Sequence, residues 1–237
     1  MEKLKTYFNW SSGKDAALAL YHLKKNHAYQ IDGLLTTING YHNRVSMHGL
    51  RRELLERQVQ ELELPLRIIE LPEEPSMEVY NQAMEQTVKL LNVEGYSHAA
   101  FGDIFLEDLR AYREEQLKKY DISCCFPLWK RNTKELIAEF LSLGFKAVVI
   151  CVKDEFLDAS FAGRELDADF VKDLPSTVDP CGEYGEFHTF CYDGPIFNNP
   201  VDFSIGEKVF RSYKNPDKEA DIKATEMGFW FCDLIPK

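Results

Sequence analysis

Short apolar runs alternate with segments of helical periodicity across the first half of this 237-residue chain, and that alternation restricts the fold more than any other feature. Tyr7–Trp10, Asp32–Ile38, Leu66–Leu71, His98–Phe101 and Ser123–Phe126 read as strands. Between them, Ala16, Leu20 and Leu23 stripe one helix, and Leu55, Val59 and Leu62 stripe a second that ends at Pro65. Tyr80, Met84, Val88 and Leu91 share the face of a third helix capped by Ser76, and residues 107–119 form a charged fourth. Strands joined by helices of this length require right-handed crossovers, and so a parallel sheet with helices on both faces, the α/β class.

Past Pro127-Leu128-Trp129 the texture changes. Asn132 and Glu135 form a capping box for a helix carrying Leu136, Ile137, Phe140 and Leu141 and stopped at Gly144. Ala147–Val152 is another strand, and a polar helical patch over Arg164–Lys172 precedes several β-like stretches. A boundary near residue 128 therefore divides a main domain, 1–128, from a smaller C-terminal α+β domain, 129–237, expected to pack over a cleft at the strand ends.

With 45% hydrophobic and 28% charged residues the composition is globular. A net charge of −11 argues against nonspecific nucleic-acid binding. No apolar run approaches the roughly 18 residues of a membrane span, and no leader pattern precedes Leu4, so a cytoplasmic protein with no membrane partner is expected. The six cysteines form no C-x-x-C pair and no zinc spacing with histidine, and read as reduced, partly buried thiols.

The chemistry concentrates in two segments. In Tyr7-Phe8-Asn9-Trp10-Ser11-Ser12-Gly13-Lys14-Asp15-Ala16 a strand runs through small residues directly into a helix. A helix start offers unpaired N–H groups and a positive dipole end, and Lys14 adds a cation. The spacing is neither a Walker loop nor a dinucleotide fingerprint. An ordinary βα turn with Ser11 or Ser12 as N-cap accounts for the same residues. Thr37–Asn39 and Gly102–Asp103 also fall at carboxyl ends of strands, where ligands of such sheets gather. The second segment, Asp179-Pro-Cys-Gly-Glu183-Tyr-Gly-Glu186-Phe-His188-Thr189, carries carboxylates, an imidazole and a hydroxyl on a glycine-interrupted turn. A solvated polar turn is the plainer reading of it.

The first loop resembles the Ser-Gly-Gly-x-Asp-Ser pyrophosphatase loop of the adenine-nucleotide alpha-hydrolase superfamily, with Ser12 in place of the first paired glycine and Ala16 in place of the last serine. Together with Phe101-Gly102-Asp103-Ile104, Pro127-Leu128-Trp129, Gly163-Arg164-Glu165-Leu166-Asp167, the Asp179–Thr189 segment and Asp193-Gly194-Pro195-Ile196-Phe197, it makes the chain similar over nearly its whole length to the diphthine–ammonia ligase family, closer to its bacterial branch. That resemblance implies a Rossmann-like, HUP-type sheet and an AMP-forming amide synthesis. A carboxylate is adenylated by ATP with release of pyrophosphate, then amidated by ammonia. It implies that Ser11, Ser12, Gly13, Lys14, Asp15, Thr37, His48, Gly102 and Asp103 bind the nucleotide, and that Asp15 and Asp103 place Mg²⁺. Lys14, Asp15, Glu183, Glu186 and His188 are then the catalytic set: Lys14 offsets leaving-group charge, the glutamates bind ammonium or accept a proton, and His188 orients the acceptor.

For an archaeal or eukaryotic chain the implied acceptor is the diphthine of elongation factor 2; for a bacterial one it is another carboxylate. A homo-oligomer is compatible with this. Rival expectations are a thiolation-type enzyme of the same superfamily and a non-catalytic nucleotide sensor. Tyr112 and Arg113 are expected on a solvated helix face, Arg164 in an ion pair with Glu165 or Asp167, and Trp129 and Trp230 as packing anchors.

Overall fold

A computed structural model describes residues 3–46, 48–214 and 226–237. Leu4–Asn9 (β1), Tyr29–Asn39 (β2), Arg44–Val45 (β3), Leu66–Leu71 (β4), His98–Ala100 (β5) and Ser123–Cys125 (β6) form one sheet. Within it β1 pairs in parallel with β2 and β5, and β5 with β6. Leu34 and Leu35 pair at once with Phe8 and Asn9 of β1 and with Leu66 and Arg67 of β4, so β4 lies on the opposite edge of β2 from β1. In space the five parallel strands therefore read third, second, first, fourth, fifth. This is the doubly wound Rossmann order, whose ligand crevice opens where the order reverses, between β1 and β5. The two-residue β3 adds antiparallel to the end of β2 at Ile38 and Asn39.

Strand residues alternate between two cores. On one face Phe8, Leu34 and Ala100 meet the first two helices, Lys14–Lys25 (α1) and Arg52–Leu62 (α2). On the other Tyr7, Leu35 and Ala99 meet Met77–Val93 (α3) and Glu107–Lys118 (α4). The α/β class is as expected. One local difference has a clear cause: α1 buries Ala17, Leu18 and Ala19 as well as the expected stripe, because a second sheet covers its outer side.

After Thr133–Ser142 (α5), that second sheet is built from Lys146–Lys153 (β7), Phe187–Asp193 (β8), Phe203–Lys214 (β9) and Glu226–Pro236 (β10), in the order β8-β7-β10-β9 and antiparallel throughout. The short helix Ala168–Asp173 (α6) starts on Asp167, whose carboxylate accepts from Phe170 N at 2.8 Å. Several ties bind this unit to the first, among them Asn199 N and Nδ2 donating to Glu61 Oε2 at 2.9 and 3.0 Å. Arg51 donates from Nε and Nη2 to the two oxygens of Asp233 at 3.0 and 2.6 Å, with Arg44 Nη2 at 2.9 Å, and these charges hold the Asp233 carboxyl below the usual range. Another tie is at the α1 start, described below. Among the described residues no helix is long and apolar enough to cross a membrane.

Gly102 follows β5 at the reversal point. A Cβ there would stand 3.0 Å from Ala16 N, 3.1 Å from Asp15 C and 3.2 Å from Ala16 Cα, all main-chain atoms of the first turn of α1. The crevice is narrow because only glycine permits this approach. Gly102→Ala is expected to lower unfolding free energy by about 1–3 kcal/mol in a urea titration; an unchanged midpoint would show that the two elements are not in contact.

Candidate functional site

The turn from β1 into α1 uses no serine as its cap. Gly13 is the N-cap residue, with φ −85° and ψ 173°, and the first helical amide, Lys14 N, donates to Thr189 Oγ1 at 3.1 Å. Ser11 Oγ accepts from Gly13 N at 3.4 Å, while the buried Ser12 hydroxyl donates to the Ser11 carbonyl. Ser12 stands at φ 65°, in the left-handed region where glycine is preferred, so the loop keeps a glycine-type bend with a serine in it. Ala16 packs into the apolar core.

Lys14 is 3% exposed. Its ammonium lies 2.6 Å from Asp15 Oδ2, donates to the Cys181 carbonyl, and sits 5.4 Å from the centre of the Phe187 ring. Burial pulls its pKa down, but the Asp15 carboxylate beside it, with further contributions from Cys181 and Glu183, outweighs burial and holds it above the ordinary lysine value. Lys14 is an ammonium ion. Burial raises the Asp15 carboxyl against the pull of Lys14, and it raises the Asp103 carboxyl against the pull of Arg113. Asp15 and Asp103 each feel neighbouring negative charge, Asp179 in the first case and Asp15 in the second, so the corner is acidic around one buried cation.

The structure brings the two sequence segments together. Glu183 Oε1 accepts from Ile104 N and Phe105 N, both at 2.8 Å, which joins the Asp179–Thr189 loop to the Gly102–Asp103 strand end; burial raises its carboxyl. Glu186 is 2% exposed and turned into its own loop, accepting from Asp179 N at 3.0 Å and Tyr184 N at 2.9 Å. The glycines on either side of Tyr184 have positive φ, 67° at Gly182 and 83° at Gly185, and the turn needs both. The solvated polar turn thus gives way to a loop held by its own carboxylate.

The rings of His48 and His188 lie 4.5 Å apart. Burial holds His188 down to about 4, helped by the charge of Lys14. Burial likewise holds His48 well below the ordinary histidine value, aided by His188 and Lys14. Both are neutral at pH 7. His48 Nδ1 is buried with no hydrogen-bond partner among the described residues. Thr37 lies at the end of β2, and its carbonyl accepts from Ser46 N; the hydroxyl that reaches the loop is that of Thr36, donating to Trp10 O at 2.8 Å.

Three residues behave differently from expectation or carry no local signal. Arg113 is not on a solvated face: it pairs with Asp103 and stacks 4.3 Å over Phe101. Arg164 pairs with Asp173 at 2.8 Å rather than with Glu165 or Asp167, and its guanidinium lies over Phe161 and Phe170. Gln58, fully buried and bonded to Trp10, Ser12 and Cys191, is missed by the stripe reading of α2. The available signal is that a polar side chain occupies a position on that stripe, four residues before Leu62.

The diphthamide synthase N-terminal domain model matches residues 4–121 and the diphthamide synthase C-terminal domain model residues 132–219. Diphthine–ammonia ligases of Bos taurus and Homo sapiens are each 32% identical over 126 residues, 51% of this chain and 46% of theirs. That of Danio rerio is 29% identical over 140 residues, 55% of this chain and 52% of its own. The chain thus matches about half the length of these curated relatives. A solved structure of the U34-tRNA thiolase NcsA from Methanococcus maripaludis aligns at a TM-score of 0.37 and 15% identity, covering 61% of this chain and 59% of that one.

Because His188 titrates near 4 in the folded protein and near 6.5 when unfolded, the unfolded chain binds the extra proton between those values, and stability supplied by the neutral ring is lost as pH falls through that window. Raised carboxyls nearby act in the opposite sense, so the test is a difference. Between pH 7 and pH 4.5 the wild type is expected to lose on the order of 2 kcal/mol more than His188→Gln in urea titrations; parallel losses would place His188 in solvent.

Proposed function

The chain belongs to the diphthamide synthase family, and on that premise we propose that it is an ATP-dependent amide ligase that adenylates a carboxylate and then amidates it with ammonia. The observation that carries this reading is the position of Lys14: a buried ammonium at the start of a helix, at the reversal point of the parallel sheet, enclosed by carboxylates from both halves of the chain. A phosphate chain carrying a divalent cation is the ligand such a corner suits, since main-chain N–H groups, helix dipole and ammonium favour the phosphates and the surrounding carboxylates favour the cation.

In the proposed reaction an acceptor carboxylate oxygen attacks the α-phosphorus of ATP, the bond to the β-phosphate oxygen breaks, and pyrophosphate leaves. Ammonia then attacks the acyl carbon and AMP departs with the electron pair of the cleaved C–O bond. Gly13 and Lys14 amides exchange Ser11 Oγ and Thr189 Oγ1 for phosphate oxygens, and the Lys14 ammonium leaves the Cys181 carbonyl to balance charge building on pyrophosphate. Asp15 and Asp103 suit Mg²⁺, which is bound by one or two carboxylates plus phosphate oxygens: both are raised by burial in a shared field, so a cation relieves them. Bound there, the ion would neutralise charge on the phosphates.

Glu183 retains an oxygen beyond the one that holds Ile104 and Phe105, and its raised carboxyl suits it to take a proton from the attacking amine. Glu186 accepts from Asp179 N and Tyr184 N and serves the site by holding the loop in shape. His48 and His188, both neutral, orient the acceptor by hydrogen bonds without adding charge. The domain over 1–128 supplies the nucleotide site and that over 129–237 the acceptor and ammonia side. The curated relatives are named for diphthine; here the acceptor is proposed as a carboxylate, the diphthine of elongation factor 2 for an archaeal or eukaryotic chain and another carboxylate for a bacterial one. Cys181, the thiol beside Lys14, is driven far up by burial and donates to Thr133 O at 3.4 Å, which disfavours a sulfur relay at this corner.

The test uses α-labelled ATP, Mg²⁺, ammonium and candidate acceptors including elongation factor 2 carrying diphthine. AMP and pyrophosphate are the expected products, and Lys14→Ala should reduce kcat/KM by about 10²–10³-fold. Formation of ADP, or full activity in Lys14→Ala, contradicts the assignment.

A further inference from the structure

Gln58 has no exposed surface, sits on the apolar stripe of α2, and has every polar hydrogen and its oxygen engaged. Trp10 Nε1 donates to Gln58 Oε1 at 2.8 Å, while Nε2 donates to Ser12 O at 3.0 Å and to Cys191 O at 2.6 Å. The two ends of this amide are not interchangeable, because an indole N–H only donates and a main-chain carbonyl only accepts. Ser12 O accepts a second hydrogen bond, from Cys191 N at 2.9 Å.

The consequence lies in the next peptide unit. A trans peptide is planar, so the Ser12 carbonyl and the Gly13 N–H point in opposite directions. Two donors that draw Ser12 O into the interior therefore aim Gly13 N–H away from it, to the side where Ser11 Oγ lies. Gly13 offers little steric resistance of its own to rotation of that plane. Rotated, it would present a carbonyl oxygen instead of an N–H to an anion.

We propose that Gln58 is a positioning residue for phosphate binding, which locks the Ser12–Gly13 peptide with its N–H toward the anion and makes that orientation depend on a seated β8. The dependence arises because Cys191, which supplies one donor to Ser12 O and one acceptor to Gln58, belongs to β8. The inference rests on the reading of the β1–α1 turn as the phosphate site.

The experiment titrates the full chain with Mg²⁺ and α,β-methylene-ATP by calorimetry and follows the Gly13 amide by NMR. Gln58→Met is expected to weaken binding about ten-fold and to leave the Gly13 resonance insensitive to the analogue. Val59→Ala, a cavity in the same helix, should lower the melting temperature while keeping affinity within about two-fold. Should Gln58→Met not fold, Trp10→Phe removes the N–H that orients the amide together with part of a buried ring, and against Val59→Ala as the control for a cavity it is expected to weaken binding about three-fold. Wild-type affinity in Gln58→Met, or in Trp10→Phe where that variant replaces it, overturns the proposal, as does an equal loss in Val59→Ala. Lys14→Ala separates the two layers: if it binds as tightly as wild type and the wild-type Gly13 amide does not move, the phosphate-site reading fails and Gln58 falls with it.

Discussion

A buried ammonium cannot stand alone, and Lys14 is the group around which both halves of the chain are arranged. Removing a charge from water costs several kcal/mol unless partners replace the lost hydration. Here Asp15 supplies the counter-charge from the same helix, and the Cys181 carbonyl supplies an acceptor from the C-terminal unit. That second contact requires the Asp179–Thr189 loop to close on the start of α1. Glu186 gives the loop its shape, and Glu183 fastens it to the end of β5. The C-terminal sheet therefore completes the site as well as covering it.

The loop's two departures from its family pattern have different consequences. Ser12 occupies a left-handed conformation that a glycine adopts freely, a cost of about 1 kcal/mol or somewhat more. It is held there from several directions: its hydroxyl meets the Ser11 carbonyl, and its own carbonyl takes two donors, one from α2 and one from β8. Ala16 is buried in the core beneath the close approach of Gly102, so that position serves helix–strand packing.

The parallel strands were legible because each is a short apolar run bounded by turn residues, and the order of motifs pointed to the ligand end of the sheet. Local pattern could not reveal β3, only two residues long and paired at the end of β2. Nor could it reveal that α1 is covered on a second side, since that depends on where β8 packs. The polar contacts were least legible. Arg113 finds Asp103 ten residues back, Arg164 finds Asp173 rather than its immediate neighbours, and Gln58 reaches Cys191 across 133 positions of sequence. Periodicity places side chains on faces; it does not say which hydrogen bonds meet across elements. The candidate site was thus readable as two segments, and the contacts that turn them into one corner were not.

A crystal structure of the full chain with Mg²⁺ and α,β-methylene-ATP shows whether the start of α1 receives the phosphates. Phosphate oxygens are expected on the Gly13 and Lys14 amides, with the Lys14 ammonium moved from the Cys181 carbonyl to the analogue. Density for the nucleotide elsewhere, with Lys14 still held by Asp15 and Cys181, would contradict this placement.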